Sequence, residues 1–193
     1  MNTVSKNLNS NITYKLFYFL VLVLFLRVDL VFENNTPTGG DMGAHIVAID
    51  TFIKDFIPNF QINGWSNDWF SGYPLYYFYF PLPAIITFFF NLIFPFGVAF
   101  KIMVVMSMIL VVYSIEKLMR NTPNQISIFG ATAGLFYVFT ESFTIYGGNL
   151  ASTLAGQFSF GYSLAFANLS IFYLIKSNNN FRFPISSTFL ALC

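Results

Sequence analysis

Residues 98–119 read VAFKIMVVMSMILVVYSIEKLM, and this stretch decides what kind of chain this is. No residue between Lys101 and Glu116 is charged. At about 1.5 Å per helical residue the stretch matches a hydrocarbon core about 30 Å thick. Its charges sit near its ends, where a membrane span places them. The whole chain follows suit. Of 193 residues, 56% are hydrophobic, 27 are phenylalanine and only 9% are charged. A soluble domain carries about 25% charge, so there is too little here to cover a water-facing globule. In lipid every backbone group must be paired internally, which selects helices. The expected fold is all-α, a polytopic transmembrane helical bundle.

Working outward, further spans are expected at 12–32, 126–143, 158–175 and from 183 to 193. The last is cut off inside an apolar run, so the chain is read as one transmembrane domain forming the N-terminal part of a longer protein. The first span is not read as a signal peptide, because no small-residue cleavage site follows its apolar core. Arg27 and Asp29 fall in its last turns, where an arginine snorkels to headgroups or pairs within the bundle. Residues 75–94 are uncharged and bracketed by Pro74, Pro81, Pro83 and Pro95. They are expected to form a re-entrant or membrane-embedded helix, since broken backbone at that depth must be covered by protein or line a cavity.

Residues 42–57 carry Met42, Ile46, Ile49, Ile53 and Phe56 at alternating four- and three-residue steps, one apolar stripe. Asp41, His45, Asp50, Lys54 and Asp55 occupy the rest, and Pro58 follows. That pattern predicts a helix lying on the membrane in the first external loop. Charge bias sets the orientation. If 75–94 does not cross, Lys6, Lys15, Lys117, Arg120, Lys176 and Arg182 are cytoplasmic and Arg27, Lys54 and Lys101 are outside. If it does cross, the bias reverses. The first arrangement is preferred, and it brings the loops around 32–69 and 146–157 to the same, non-cytoplasmic side.

Polar chemistry gathers between Gly39 and Pro83, which hold the only histidine and both tryptophans. Gly39-Gly40-Asp41 before a helix reads as an N-cap, with Asp41 accepting from a first-turn N–H. A carboxylate there also suits a general base or a metal ligand. His45, four residues on, shares a helix face with Asp41, and the pair could hold one divalent cation or merely face headgroups. Trp65 and Trp69 read as an interfacial aromatic belt. Tyr73-Pro74-Leu75-Tyr76-Tyr77-Phe78-Tyr79-Phe80-Pro81 reads as the wall of a groove for a polyprenyl or acyl chain, with Trp65, Tyr76, Tyr77 and Tyr79 as candidate substrate contacts. Arg27 is a candidate for a lipid phosphate, and Asn149 and Gln157 for substrate hydroxyls. For Asn149 and Gln157 a polar turn without a ligand is an equal reading. One cysteine, Cys193, excludes an internal disulfide and a cysteine metal cluster. A net charge of +1 gives no reason to expect a nucleic-acid partner.

The order of these parts resembles a known pattern. A first span, a Gly-Asp-centred external loop with a helix, the Tyr-Pro-Leu-Tyr-Tyr-Phe-Tyr-Phe-Pro-Leu-Pro segment, and a span ending in Glu-Lys-Leu-Met-Arg resemble a polytopic membrane family. That family is labelled "6-pyruvoyl-tetrahydropterin synthase-related". The chain also resembles, more distantly, the integral-membrane (C-type) glycosyltransferases that use lipid-phosphate sugars. The likeness runs from about residue 39 to 175. The pterin label implies no activity here: that synthase uses a three-histidine zinc site, and this chain has one histidine. The glycosyltransferase resemblance implies transfer of a sugar from a polyprenyl-phosphate donor on the non-cytoplasmic side. Asp41 would be the catalytic base, with a divalent cation (Mg or Mn) near Asp41 and His45. It departs from the family in one respect, since Met42 follows Asp41 where a second acidic residue usually stands. The implied partners are membrane lipid and the sugar donor, and the implied location is the plasma (inner) membrane. The alternative is a non-enzymatic lipid-binding or transport protein of the same fold.

Overall fold

The computed structural model describes residues 16–119, 127–141 and 147–176. The expected span 183–193, and Lys6, Lys15, Arg120, Arg182 and Cys193, lie outside them. The described chain is mostly helical. Its helices are α1 (Leu16–Phe25), α2 (Val28–Val31), α3 (Met42–Thr51), α4 (Leu82–Asn91), α5 (Phe96–Met119), α6 (Ser127–Val138), α7 (Leu150–Ser152) and α8 (Phe158–Lys176). An antiparallel hairpin, β1 (Gly64–Ser66) with β2 (Tyr73–Leu75), departs from the all-α expectation. Trp65 pairs with Pro74 across it. Proline is tolerated because a two-stranded sheet consists only of edges.

Helix α5 is the axis, packed by α4, α6 and α8. Pro95 starts it, its carbonyl accepting from Val98 and Ala99 N–H at 3.0 Å. The two halves of α5 serve two cores. Phe100, Met103 and Val104 join Met42, Phe52 and Phe158. Met108, Val111 and Val112 join Leu22, Leu135 and Ala165. Small residues set the helix spacing. A Cβ on Gly134 would stand 3.0 Å from Val112 Cα, and one on Gly161 would stand 3.2 Å from Ser107 Cβ. Hydroxyls inside the bundle bond back to their own helix: Ser107 to the Val104 carbonyl (2.7 Å), Ser114 to that of Val111 (2.8 Å) and Thr87 to that of Pro83 (2.8 Å). The buried Tyr162 hydroxyl donates to the Met103 carbonyl at 2.7 Å, tying α8 to α5.

Two helical stretches are long and apolar enough to cross a bilayer, Phe96–Met119 and Leu150–Ile175. Leu16–Phe25, Leu82–Asn91 and Ile128–Val138 are shorter apolar helices. The segment expected as one span over 12–32 is interrupted. Arg27 adopts a left-handed backbone (φ 46°) between α1 and α2. Its Nη2 meets Asp29 Oδ2 at 2.8 Å and its Nε meets Oδ1 at 3.0 Å. Residues two apart do not face each other on an α-helix, so the helix must break for this pair to form. Within 75–94, the helix is α4 alone, 10 residues, or about 15 Å.

The helix expected over 42–57 is present. Its stripe turns into the protein: Met42, Ile49 and Phe56 are buried, and Ile46 and Ile53 pack against the same core. The stripe is covered by residues of α4, α5 and α8. After Thr51 the helix widens into a π turn, Phe52–Phe56, then tightens into a 3₁₀ turn, Ile57–Asn59, ending with Phe60 in a left-handed conformation. The widening places both Phe52 and Phe56 in the core. Thr51 and Ser66 both donate to Asp68 Oδ2, the second at 3.1 Å, fastening the hairpin loop to α3.

Candidate functional site

Between α3, the β1–β2 hairpin and the start of α8 lies a cavity of about 310 Å³. Ala44, His45, Ala48 and Ile49 form one wall. Trp69, Tyr73, Leu75, Tyr76, Tyr79 and Phe80 form another, with Pro83 and Phe158 beneath. The alanines leave the space. Four residues apart, they lie on one face of α3, and larger side chains there would fill it. The aromatic segment curls around the opening because Tyr76 takes a left-handed backbone (φ 61°). That reverses the chain between β2 and α4, burying Tyr76 against Phe52 with ring centroids 5.4 Å apart. No carboxylate lines the cavity.

The polar end is at His45. Its ring lies 4.8 Å from Phe158 and 5.6 Å from Tyr79, centroid to centroid. Burial lowers its pKa below the ordinary histidine value, partly offset by the Asp41 charge and the Gly156 backbone. The imidazole is therefore neutral at pH 7. The Asp41 charge also reaches the Tyr79 hydroxyl. Ser159 stands beside that hydroxyl, its own Oγ buried without a well-formed hydrogen bond. Asp41 opens α3 as its N-cap residue, yet its carboxylate makes no capping hydrogen bond. The side chain is exposed at the cavity end, next to His45.

A second loop completes this end. Asn149 caps α7, its Oδ1 accepting from Ser152 N–H at 2.8 Å. The chain then makes a π turn, Thr153–Gln157, before α8. In that turn Ala155 O accepts from Asp41 N–H at 2.8 Å. The loops expected to face the same side are thus in backbone contact.

Of the residues expected to act, His45, Tyr76 and Tyr79 line the cavity and Asp41 stands beside His45. The others do neither. Arg27 is engaged by Asp29. Trp65 is exposed, its indole lying over Gly72, which has no side chain to obstruct it. Tyr77 is exposed. Asn149 is buried, its oxygen used in the cap. Gln157 ends the π turn beside Gly147. Sequence reasoning missed Ala44, Ala48 and Phe158 as cavity residues and read Trp69 only as part of an interfacial belt. The alanine spacing opposite an aromatic block was a usable signal. Phe158 is brought in only by the fold.

Asp41 and His45 offer a cation one carboxylate and one imidazole. Among the described residues no cluster of three or more histidine, cysteine, aspartate or glutamate side chains forms. Comparison with known protein families, curated proteins and solved structures gives no match.

Proposed function

We propose that the chain is a membrane glycosyltransferase-like protein that takes a sugar from a polyprenyl-phosphate donor on the non-cytoplasmic side. One observation carries the reading. The Asp41 carboxylate opens a helix without capping it, and it stands beside a neutral histidine at the end of an aromatic cavity. A carboxylate left free of structural hydrogen bonds is available as a general base. Pockets of about 300–1,000 Å³ with apolar walls and a few polar groups are typical of ligand sites. A hydrocarbon tail would lie against Trp69, Tyr73 and Phe80, its phosphate toward His45 and Tyr79. The acceptor hydroxyl would meet Asp41, which would remove its proton as the glycosidic bond forms and the bond from the anomeric carbon to the phosphate oxygen breaks, releasing polyprenyl phosphate. Magnesium is commonly held by one or two carboxylates plus substrate phosphates. A cation at Asp41 and His45 would take its remaining ligands from substrate oxygens and water.

The membrane setting is supported by the two long apolar stretches and by large apolar side chains exposed on the outer faces of helices, among them Leu24, Phe129 and Phe136. Contact between Asp41 and Ala155 supports placing both loops on one side. That is the arrangement preferred by the charge bias, with six positive residues opposite that side.

A second reading, a lipid-binding or transport protein without catalysis, is favoured by the absence of any carboxylate from the cavity lining. The deciding experiment incubates the full-length protein in nanodiscs with radiolabelled polyprenyl-phosphate hexoses. Transfer should be lost by about 10²-fold or more in Asp41→Asn, the scale of a general base. Full transfer in a folded Asp41→Asn protein would end the base assignment. Tight donor binding without transfer would favour the second reading.

A further inference from the structure

The wide turn before α8 is built against the residue that opens α3. Gly156 sits in it with φ 115°, where side chains are rarely accommodated. A Cβ there would stand 3.0 Å from Asp41 Cβ, 3.3 Å from the Asp41 carbonyl carbon and 3.2 Å from His45 Cδ2. One residue earlier, Ala155 O takes the Asp41 N–H at 2.8 Å. Gly40 lies flat on the same residue, leaving no room there for a side chain. Two of these contacts, from Gly156 and the Ala155 carbonyl, meet Asp41, and the third sets Gly40 against Ala155. The backbone is not helical at Gly156, so the turn is a kink between α7 and α8.

We propose that Gly156 is a positioning residue for Asp41: the turn Thr153–Gln157 docks on the loop Gly39–Asp41, and the missing side chain at 156 lets Asp41 stand beside His45. The proposal rests on the reading of Asp41 as the reactive carboxylate. Gly156 touches no substrate in it. The site is then an assembly of two loops, and Asp41 acquires its position only when they dock.

The test uses the full-length protein in nanodiscs. Amide hydrogen exchange at Asp41 should be slow in the unmutated protein, although its side chain is exposed, because the Ala155 carbonyl holds the N–H. Gly156→Ala should make that amide exchange rapidly. Its kcat for transfer from a radiolabelled polyprenyl-phosphate hexose should fall about 10²-fold with KM little changed, as misplacement of about 1 Å can do. Combining Gly156→Ala with Asp41→Asn should add no further loss, because the glycine acts through the carboxylate. Gly39→Ala is the control. It has a similar φ of 122° but open space around an added Cβ, so it should keep the Asp41 amide protected.

A rapidly exchanging Asp41 amide in the unmutated protein would overturn the proposal, even if Gly156→Ala failed to fold. So would equal effects of Gly39→Ala and Gly156→Ala, since strain alone would then explain both. The exchange measurement needs no activity. Absence of transfer in the unmutated protein would remove the transferase reading, and the docking of the loops would still be decided by exchange.

Discussion

At the scale of single residues, Asp41 and His45 behave differently from what their positions alone suggest. Aspartate before a helix ordinarily caps it, and replacing such a cap by alanine costs about 1 kcal/mol. Here the carboxylate makes no cap bond. Asp41→Ala should therefore cost well under about 1 kcal/mol in a denaturant titration. A full capping loss would show that the carboxylate serves the helix instead. His45 carries a pH dependence. Its folded pKa lies below the ordinary value of about 6.5, so between the two values the unfolded chain binds more protons. Stability then rises with pH through that window. The contribution is intact above about pH 6.5 and is lost as pH falls toward and through the lower folded value. Asp41 and Tyr79 are the titratable groups facing it, and Asp41 opposes the shift. The unfolding temperature of the unmutated protein should drop between pH 7.5 and 5. His45→Phe, which keeps a ring against Phe158, should drop less. Equal drops would remove histidine as the cause.

At the scale of elements, spacing between helices and space beside α3 are both set by small residues. Gly134 lets α6 approach the α5 backbone near Val112. Gly134→Leu should force the pair apart and cost about 1–3 kcal/mol, the range for overpacking, read as a lower unfolding temperature in detergent. An unchanged unfolding temperature would show that α6 does not pack on α5 there. Ala48 faces the cavity. Ala48→Trp should occupy much of its volume and weaken donor binding at least tenfold, while leaving the unfolding temperature within a few degrees. Unchanged binding would mean that the hydrocarbon chain lies elsewhere. The two tests act on different helices, α6 and α3, so each reports on one contact.

At the scale of the whole molecule, the arrangement follows from α5 serving two cores. One lies under the loops and one lies toward the other end, where α1 and α6 pack. The proposed topology, with α4 beside α5 and not crossing the membrane, puts the loops of Asp41 and Asn149 on one side. In a Cys193-free background, single cysteines near Asp41 and Asn149 should label with an impermeant maleimide from outside. One at position 121 should not. Outside labelling at 121 would reverse the topology and separate the site from the compartment proposed for it.

The sequence by itself determined that most of this chain is helical and apolar. Those properties follow from composition and from uninterrupted runs such as 98–119, which need no partner to be read. It also singled out Asp41, His45, Tyr76 and Tyr79, because polar residues are scarce and the aromatic block is dense. Other features were decided only by tertiary structure. The stripe from Met42 to Phe56 is legible by periodicity, and its burial beside Phe100 and Met103 came with the fold. The break at Arg27 brings together a charge pair that a continuous helix would not, and the β1–β2 hairpin has Asp68 fastened by Thr51 and Ser66. Phe158 and Gly156 reach Asp41 and His45 across more than a hundred residues of chain. Local pattern carries no information about such pairings, because they are fixed by how the helices pack around α5.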